Sequence, residues 1–398
     1  MSAFRAAWVV PIDRAPIADG IVEVADGRIV RVGEASSTAS SIDLGGVALM
    51  PGLVNAHTHL ELSWMRGRVP PAPAFTEWVK GMFAVRGRPD AGMSEAQVEA
   101  IHDGARQARA AGTVAVGDIS NSLASAGPLR EAGLDGIVFH ELLGFKERDG
   151  ALVDRTRVSR TAARATGARI SLAPHAPYST SPELFRAIRH EVSASDCPVM
   201  SVHLGESPEE SELLRSGSGP WRRMLEAIGA WRDDWPVPAC DPVSYLDRQQ
   251  VIDRQTLLAH GVQFDNAALR RVAQIGATIV TCPRSNQWVG VGVPPIERFY
   301  ASGARVAVGT DSLASVEDLN VFAELKMMRA LAPGVAASRI LASATQVGAD
   351  ALGLGHELGS LSPGKRAAMI AVTLPSGVTN VEEYLLGGVE PSQIQWVA

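Results

Sequence analysis

Short apolar runs recur along this chain, each closing on a polar or ionisable residue and each followed by a stretch long enough for a helix. In order they are VALMPGLVNAH, GTVAVGD, GIVFHE, RISLAPH, CPVMSVH, TLLAHG, ATIVTCPRSN and RVAVGTD, eight in all. Strands alternating with helical stretches argue for parallel βα units, and eight of them over roughly 250–300 residues match the count and length of a (β/α)8 TIM barrel. The predicted fold class is therefore α/β, with the barrel spanning residues 51–364.

The segment before it, IVEVADGRIVRVGEA, alternates around Asp26-Gly27 and reads as a β-hairpin. No helix follows, so it is not the barrel's first unit. Near the other end GSLSPGKRAAMIAVTL is strand-like again. The chain ends, 1–50 and 365–398, are predicted to pair into a small, discontinuous β-sandwich domain beside the barrel. Between His203 and His260 lies a long connection with a Ser-Gly-Ser-Gly-Pro run and three tryptophans, Trp221, Trp231 and Trp235. It reads either as a lid inserted near 207–245 or as a peripheral helical pair packed by those tryptophans.

Composition narrows the class. With 398 residues, 46% hydrophobic and 20% charged, the chain suits one large soluble globular domain plus a smaller one. A net charge of -6 provides no positive field to hold a polyanion, which excludes nucleic acid as a partner. Cys197, Cys240 and Cys282 lie far apart with no C-x-x-C, so neither a disulfide framework nor a cysteine-zinc cluster is implied, and a reducing cytoplasm is expected. Prolines and acidic residues break the amino-terminal segment before it reaches signal length. No apolar stretch approaches the ~20 residues of a membrane span, so no membrane association is expected. A homodimer is left open.

The strongest chemical signal is His57-Thr58-His59. Residues two apart on a strand face the same side, so both imidazoles can address one ion from the end of the first barrel strand. His203, His260 and Asp311 close the fifth, sixth and eighth runs, which brings four strand ends to the carboxyl rim where barrel chemistry sits. Other motifs fail: His140-Glu141 and His356-Glu357 lack the second histidine of a zincin helix, and Gly290-Val291-Gly292 lacks the third glycine of a dinucleotide loop. The cysteine pair of the cytidine-type zinc deaminases is also missing.

The segments PGLVNAHTHLE, APHAPYS, SVHLGES, LLAHG, CPRSN and VGTDS together resemble the amidohydrolase superfamily over essentially the whole chain. They are closest to its branch of S-adenosylhomocysteine, adenosine-type and aminodeoxyfutalosine deaminases and triazine chlorohydrolases. That resemblance implies His57, His59, His203 and Asp311 as metal ligands, Glu206 as a proton shuttle, and His260 as a hydrogen-bond partner of the attacking water. Asp311 would also accept a proton from that water. Three neutral imidazoles and one carboxylate suit zinc, with ferrous iron as the alternative. Superfamily members with two ions carry a bridging lysine at the end of the fourth strand, whereas this strand ends at His175, so one ion is expected. By the same resemblance His175 contacts a heterocyclic small-molecule substrate and Trp78 stacks on it.

Where adenosine-type deaminases place an acidic residue for the ribose hydroxyls, this chain reads Arg86-Gly87-Arg88. A guanidinium suits a carboxylate, so Arg88 or Arg86 is expected to bind an acidic end of the substrate, as in an aminodeoxyfutalosine-type nucleoside, while Glu61 takes a polar substrate group. The expected reaction is hydrolytic release of ammonia from a 6-aminopurine nucleoside-like compound. Alternatives are a chlorohydrolase or amide or cyclic-amidine hydrolase on the same site, and a non-catalytic barrel scaffold.

Overall fold

The chain opens with five strands, β1 (Ser2–Val9), β2 (Ile17–Ala25), β3 (Arg28–Glu34), β4 (Ile42–Asp43) and β5 (Val47–Pro51). The structure is a computed structural model describing residues 2–34, 41–86 and 92–397. β2 and β3 are the expected hairpin, paired antiparallel across Asp26 and Gly27, whose φ values of 52° and 72° are those of a turn that follows the strands' own twist. β1 pairs with β2 on one side and with β4 and β5 on the other. It was not foreseen as a strand.

Eight parallel strands follow among the described residues. β6 (Leu53–Thr58), β7 (Thr113–Ser120), β8 (Asp135–Leu142) and β9 (Ile170–Pro174) form one sheet. β10 (Met200–Leu204), β11 (Thr256–His260), β12 (Thr278–Thr281) and β13 (Arg305–Val308) form a second. These are the eight runs picked out by their hydrophobicity, with one difference: VALMPGLVNAH divides at Gly52. Its first half is β5 of the terminal sheet and its second half is β6, whose Leu53 N–H donates to Gly112 O of the parallel sheet (2.8 Å). Every residue of β6 and β7 is buried, as expected where helices cover the outer face and side chains fill the inner one.

Backbone hydrogen bonds join the two sheets at both seams. His203 N–H donates to His175 O and Asp311 N–H to His57 O, each at 3.0 Å. Asn55 adds a side-chain clamp across the second seam, donating to Thr310 Oγ1 (2.7 Å) and accepting from Thr310 N (3.1 Å). The approach is so close that a Cβ on Gly309 would sit 2.6 Å from His57 O.

β14 (Met369–Thr373) and β15 (Ile394–Trp396) return to the terminal sheet, whose order is β15-β14-β5-β1-β2-β3. β14 runs antiparallel to β5, so the two chain ends share one sheet, with its own core of Val9, Val22, Ile29, Leu49 and Met369. The connection over 207–245 contains the short helices Pro208–Ser216 and Pro220–Ala227; Trp221 and Trp235 are buried in the main core. No described helix is long and apolar enough to cross a membrane.

Candidate metal and active site

The ligand-type residues meet at the carboxyl ends of the parallel strands. His57 is on β6, His59 lies just past its end, His203 is on β10, His260 closes β11 and Asp311 follows β13. His59 Nε2 is 3.3 Å from His203 Nε2 and 3.6 Å from Asp311 Oδ1. The His57 ring lies 5.0, 4.9 and 5.4 Å from those of His59, His203 and His260. Ligand atoms of His57, His59 and Asp311 fall within 4.8 Å of one another, as do those of His57, His203 and His260.

Burial sets the charge state. It pushes the imidazoles of His57 and His260 well below their usual range, His59 to about 3 and His203 to about 4. Neutral imidazole is the form with a lone pair to give a metal. His203 Nδ1 faces His175 O at 3.0 Å; since a carbonyl only accepts, the proton sits there and Nε2 is left free. Neither ring nitrogen of His57 has a hydrogen-bond partner, although both are buried. Burial also raises the Asp311 carboxyl, even though Ser285 Oγ (2.6 Å) and Ser312 N (2.8 Å) donate to it. Lone pairs crowded together out of water would repel one another, and a divalent cation relieves that, so the donor set fits the metal the sequence implies.

His260 is held differently. Its Nδ1 accepts from Asn286 Nδ2 at 3.0 Å, which puts the proton of the neutral ring on Nε2, 3.6 Å from Glu206 Oε1. Backbone strain marks the same rim: His260 and Asp311 have φ of 75° and 61°, the left-handed region that costs a side-chain-bearing residue of order 1 kcal/mol or more.

Glu206 is buried, and burial followed by repulsion from Asp311 raises its carboxyl well above the usual range. Its placement depends on two neighbours. Gly205 turns at φ 62° with a virtual Cβ only 2.4 Å from the Phe264 ring, so no other residue fits. Glu210, fully buried, accepts from Gly205 N (3.0 Å) and Glu206 N (3.1 Å) and pins the turn.

A cavity opens from this cluster. His175, Trp78, Glu61 and Arg86 line it together with Tyr178 and Trp221, which stack at 3.8 Å and 8°. Trp78 is buried and stacks on Phe75. The Glu61 carboxylate is already occupied, accepting from Ser120 Oγ, Asn121 N, Ser122 N and Ser122 Oγ at 2.8–3.0 Å. Arg86 donates to Asn121 Oδ1 (3.2 Å) and lies 3.8 Å from Glu61. Arg88 lies outside the described residues.

The amidohydrolase family profile matches residues 48–389. The chain belongs to the amidohydrolase family. Among curated relatives it is 32% identical to an aminodeoxyfutalosine deaminase of Deinococcus radiodurans over 355 residues, covering 82% of this chain and 81% of that protein. It is 28% identical over 388 residues to a 5-methylthioadenosine/S-adenosylhomocysteine deaminase of Moorella thermoacetica, covering 92% and 84%. Among solved structures, an adenosine deaminase of Xanthomonas campestris with bound zinc superposes with a TM-score of 0.80 at 25% identity, covering 98% of this chain and 90% of that one.

Within this amidohydrolase the polar cavity residues Asn121 and Glu141 are not among the site residues the sequence predicts. Glu141, near the end of β8, is buried, and burial raises its carboxyl to about 7. The rule that found the other site residues, an ionisable residue closing an apolar run, also picks out GIVFHE. His140-Glu141 fails as a helical metal motif, yet as the end of a parallel strand it brings Glu141 to the cavity.

Proposed function

We propose that this amidohydrolase is a mononuclear metal-dependent deaminase that hydrolyses the 6-amino group of a purine nucleoside bearing an acidic substituent, with release of ammonia. The observation carrying it is the gathering of ligand atoms of His57, His59 and Asp311 within 4.8 Å of one another, with His203 Nε2 3.3 Å from His59 Nε2 and with Glu206 and His260 lining the same cavity. The names of the two curated relatives, both deaminases of adenine nucleosides, point the same way. The two four-stranded sheets are taken as halves of one closed barrel over 51–364. The terminal sheet, with its own core, is taken as a two-layer sandwich of 1–50 and 365–398.

His57, His59, His203 and Asp311 would hold a divalent ion, zinc ahead of ferrous iron, which would supply Lewis acidity and make water easier to deprotonate near neutral pH. The chain's own groups divide the remaining work. Asp311 receives the proton of the attacking water. Glu206, kept protonated by burial, delivers its proton to the ring nitrogen as the water oxygen adds to the carbon bearing the amine; as the carbon–nitrogen bond then breaks, Glu206 recovers a proton from the added hydroxyl and the amine leaves as ammonia with the proton that Asp311 took from the water. His260 offers Nε2–H to the oxygen gaining charge. Trp78 and the Tyr178–Trp221 stack flank a planar heterocycle and exclude water; the 207–245 segment, which supplies Trp221, serves as the cavity's lid.

Arg86, with Arg88 beside it in sequence, is the group for the acidic end. Three cysteines without a disulfide favour a cytoplasmic setting. The test is ammonia release from adenosine, 5′-methylthioadenosine and a carboxylate-bearing adenine nucleoside by zinc-loaded protein. Turnover of none of them, with a chlorotriazine or cyclic amide hydrolysed instead, would overturn the proposal.

A further inference from the structure

The cavity also holds a polar chain of which the proposed function uses only Arg86. Glu61 accepts from Asn121 N, Arg86 donates to Asn121 Oδ1, and Asn121 Nδ2 donates to Glu141 Oε2 at 2.9 Å. Each partner is fixed by the next, so the Glu141 carboxylate cannot rotate freely. Its other oxygen, Oε1, is buried with no hydrogen-bond partner, and the residue lines the cavity. The side chain is only 6% exposed, so water is a poor substitute partner, and an unsatisfied buried acceptor is costly.

Resting on the nucleoside reading above, we propose that Glu141 is a substrate-binding residue whose Oε1 accepts a hydrogen bond from a sugar hydroxyl of the substrate. A carboxylate oxygen offers lone pairs only, so its partner must bring hydrogens; the bare purine ring nitrogens do not, the 6-amino group is engaged at the reacting end in the reading above, and the sugar hydroxyls remain. The position also answers the missing acidic residue after Trp78: the acceptor comes from the third parallel strand rather than from the segment after the first. A purely structural role is the competitor, because Oε1 lies 3.5 Å from His203 Nδ1 and a carboxylate there could orient that imidazole. His203 Nδ1 already has a closer partner in His175 O at 3.0 Å.

The Glu141→Gln variant separates the two. Asn121 Nδ2 will hold the glutamine's oxygen, which leaves its NH2 at the Oε1 position, so the charged acceptor is lost and only a weaker neutral contact, NH2 donating to the hydroxyl oxygen, can replace it. Binding of adenosine and of 2′,3′-dideoxyadenosine to zinc-loaded protein is measured by calorimetry, with bound zinc counted in each preparation. Wild type should bind adenosine tenfold or more tightly, the scale of one hydrogen bond to a charged group, and Glu141→Gln should cut that preference severalfold while zinc content and dideoxyadenosine affinity hold. Equal losses on both nucleosides, a fall in zinc content, or wild type that binds neither nucleoside or does not distinguish them would each overturn the proposal. Should the variant not fold, Asn121→Ala, which frees the carboxylate to swing, must narrow the preference, and an unchanged preference counts against it. Ammonia release is followed separately: selective binding without turnover would sink the deaminase assignment and leave the Glu141 contact standing.

Discussion

Glu210 offers a test that does not depend on knowing the substrate. The residue is fully buried, and burial lifts its carboxyl to about 7 against two backbone hydrogen bonds that pull it down. The unfolded chain releases this proton near the ordinary glutamate value of 4.5, the folded protein at about 7. Between those values the native state binds more protons than the unfolded one, so stability falls as pH rises through the window and levels off above it. A displacement of that size corresponds to at most about 3 kcal/mol. In Glu210→Gln the group no longer titrates, whereas other buried carboxyls such as Asp118 and Glu324 contribute equally to both proteins. The difference in unfolding free energy, wild type minus variant, should therefore decline by up to about 3 kcal/mol from pH 4.5 to 7.5 in urea titrations at fixed zinc loading. Glu210→Leu should cost about 2–4 kcal/mol at pH 6, since it strands the amides of Gly205 and Glu206 where the Gly205 turn is locked against Phe264. Parallel pH profiles for wild type and the glutamine variant would refute the reasoning, as would a leucine variant within 0.5 kcal/mol of wild type, a surface-like effect.

Elemental analysis should return one tightly bound divalent ion per chain, and His57→Ala should lose most of it, because His57 belongs to two of the three triads of converging ligand atoms among the described residues. Glu206→Gln should keep the metal while turnover falls roughly 10²-fold or more, and near-normal turnover would make Glu206 a bystander. Arg86→Met should lower kcat/KM by about one to two powers of ten for a carboxylate-bearing adenine nucleoside and leave neutral adenosine nearly unchanged, whereas equal losses would indicate disturbance of the Glu61–Asn121 wall instead. Gly309→Ala should cost about 1–3 kcal/mol or more in chemical denaturation, since the added methyl meets the His57 backbone, which cannot step aside without moving Asp311.

How much of this was legible beforehand follows from which features are local. The strand ends were, because a parallel strand buried on both faces leaves a continuous apolar run and the fold sends every carboxyl end to one rim; His57, His59, His203, His260 and Asp311 needed no knowledge of loops. The hairpin at Asp26-Gly27 was legible through its turn chemistry. β1 and β15 were not. β1 is polar or half-buried at several positions and becomes a strand by lying between β2 and β5, while the three residues of β15 acquire their meaning only by pairing with β14.

The cavity walls are non-local in a stronger sense. Nothing near Tyr178 announces that Trp221 will lie 3.8 Å above it, and nothing in HTHLE tells that Glu61 will be occupied by the 120–122 turn before a substrate could reach it. That second point redirects the reading of Arg86. As an isolated guanidinium in the sequence it looks free for a carboxylate; in the structure it lies beside Glu61 and Asn121, with part of its charge already answered. An anionic substrate end would therefore compete with Glu61 for Arg86 rather than meet a bare cation. Selectivity for such a substrate should accordingly be modest in Coulombic terms and governed by geometry, so raising the salt concentration should reduce binding of the neutral and the acidic nucleoside by nearly the same factor.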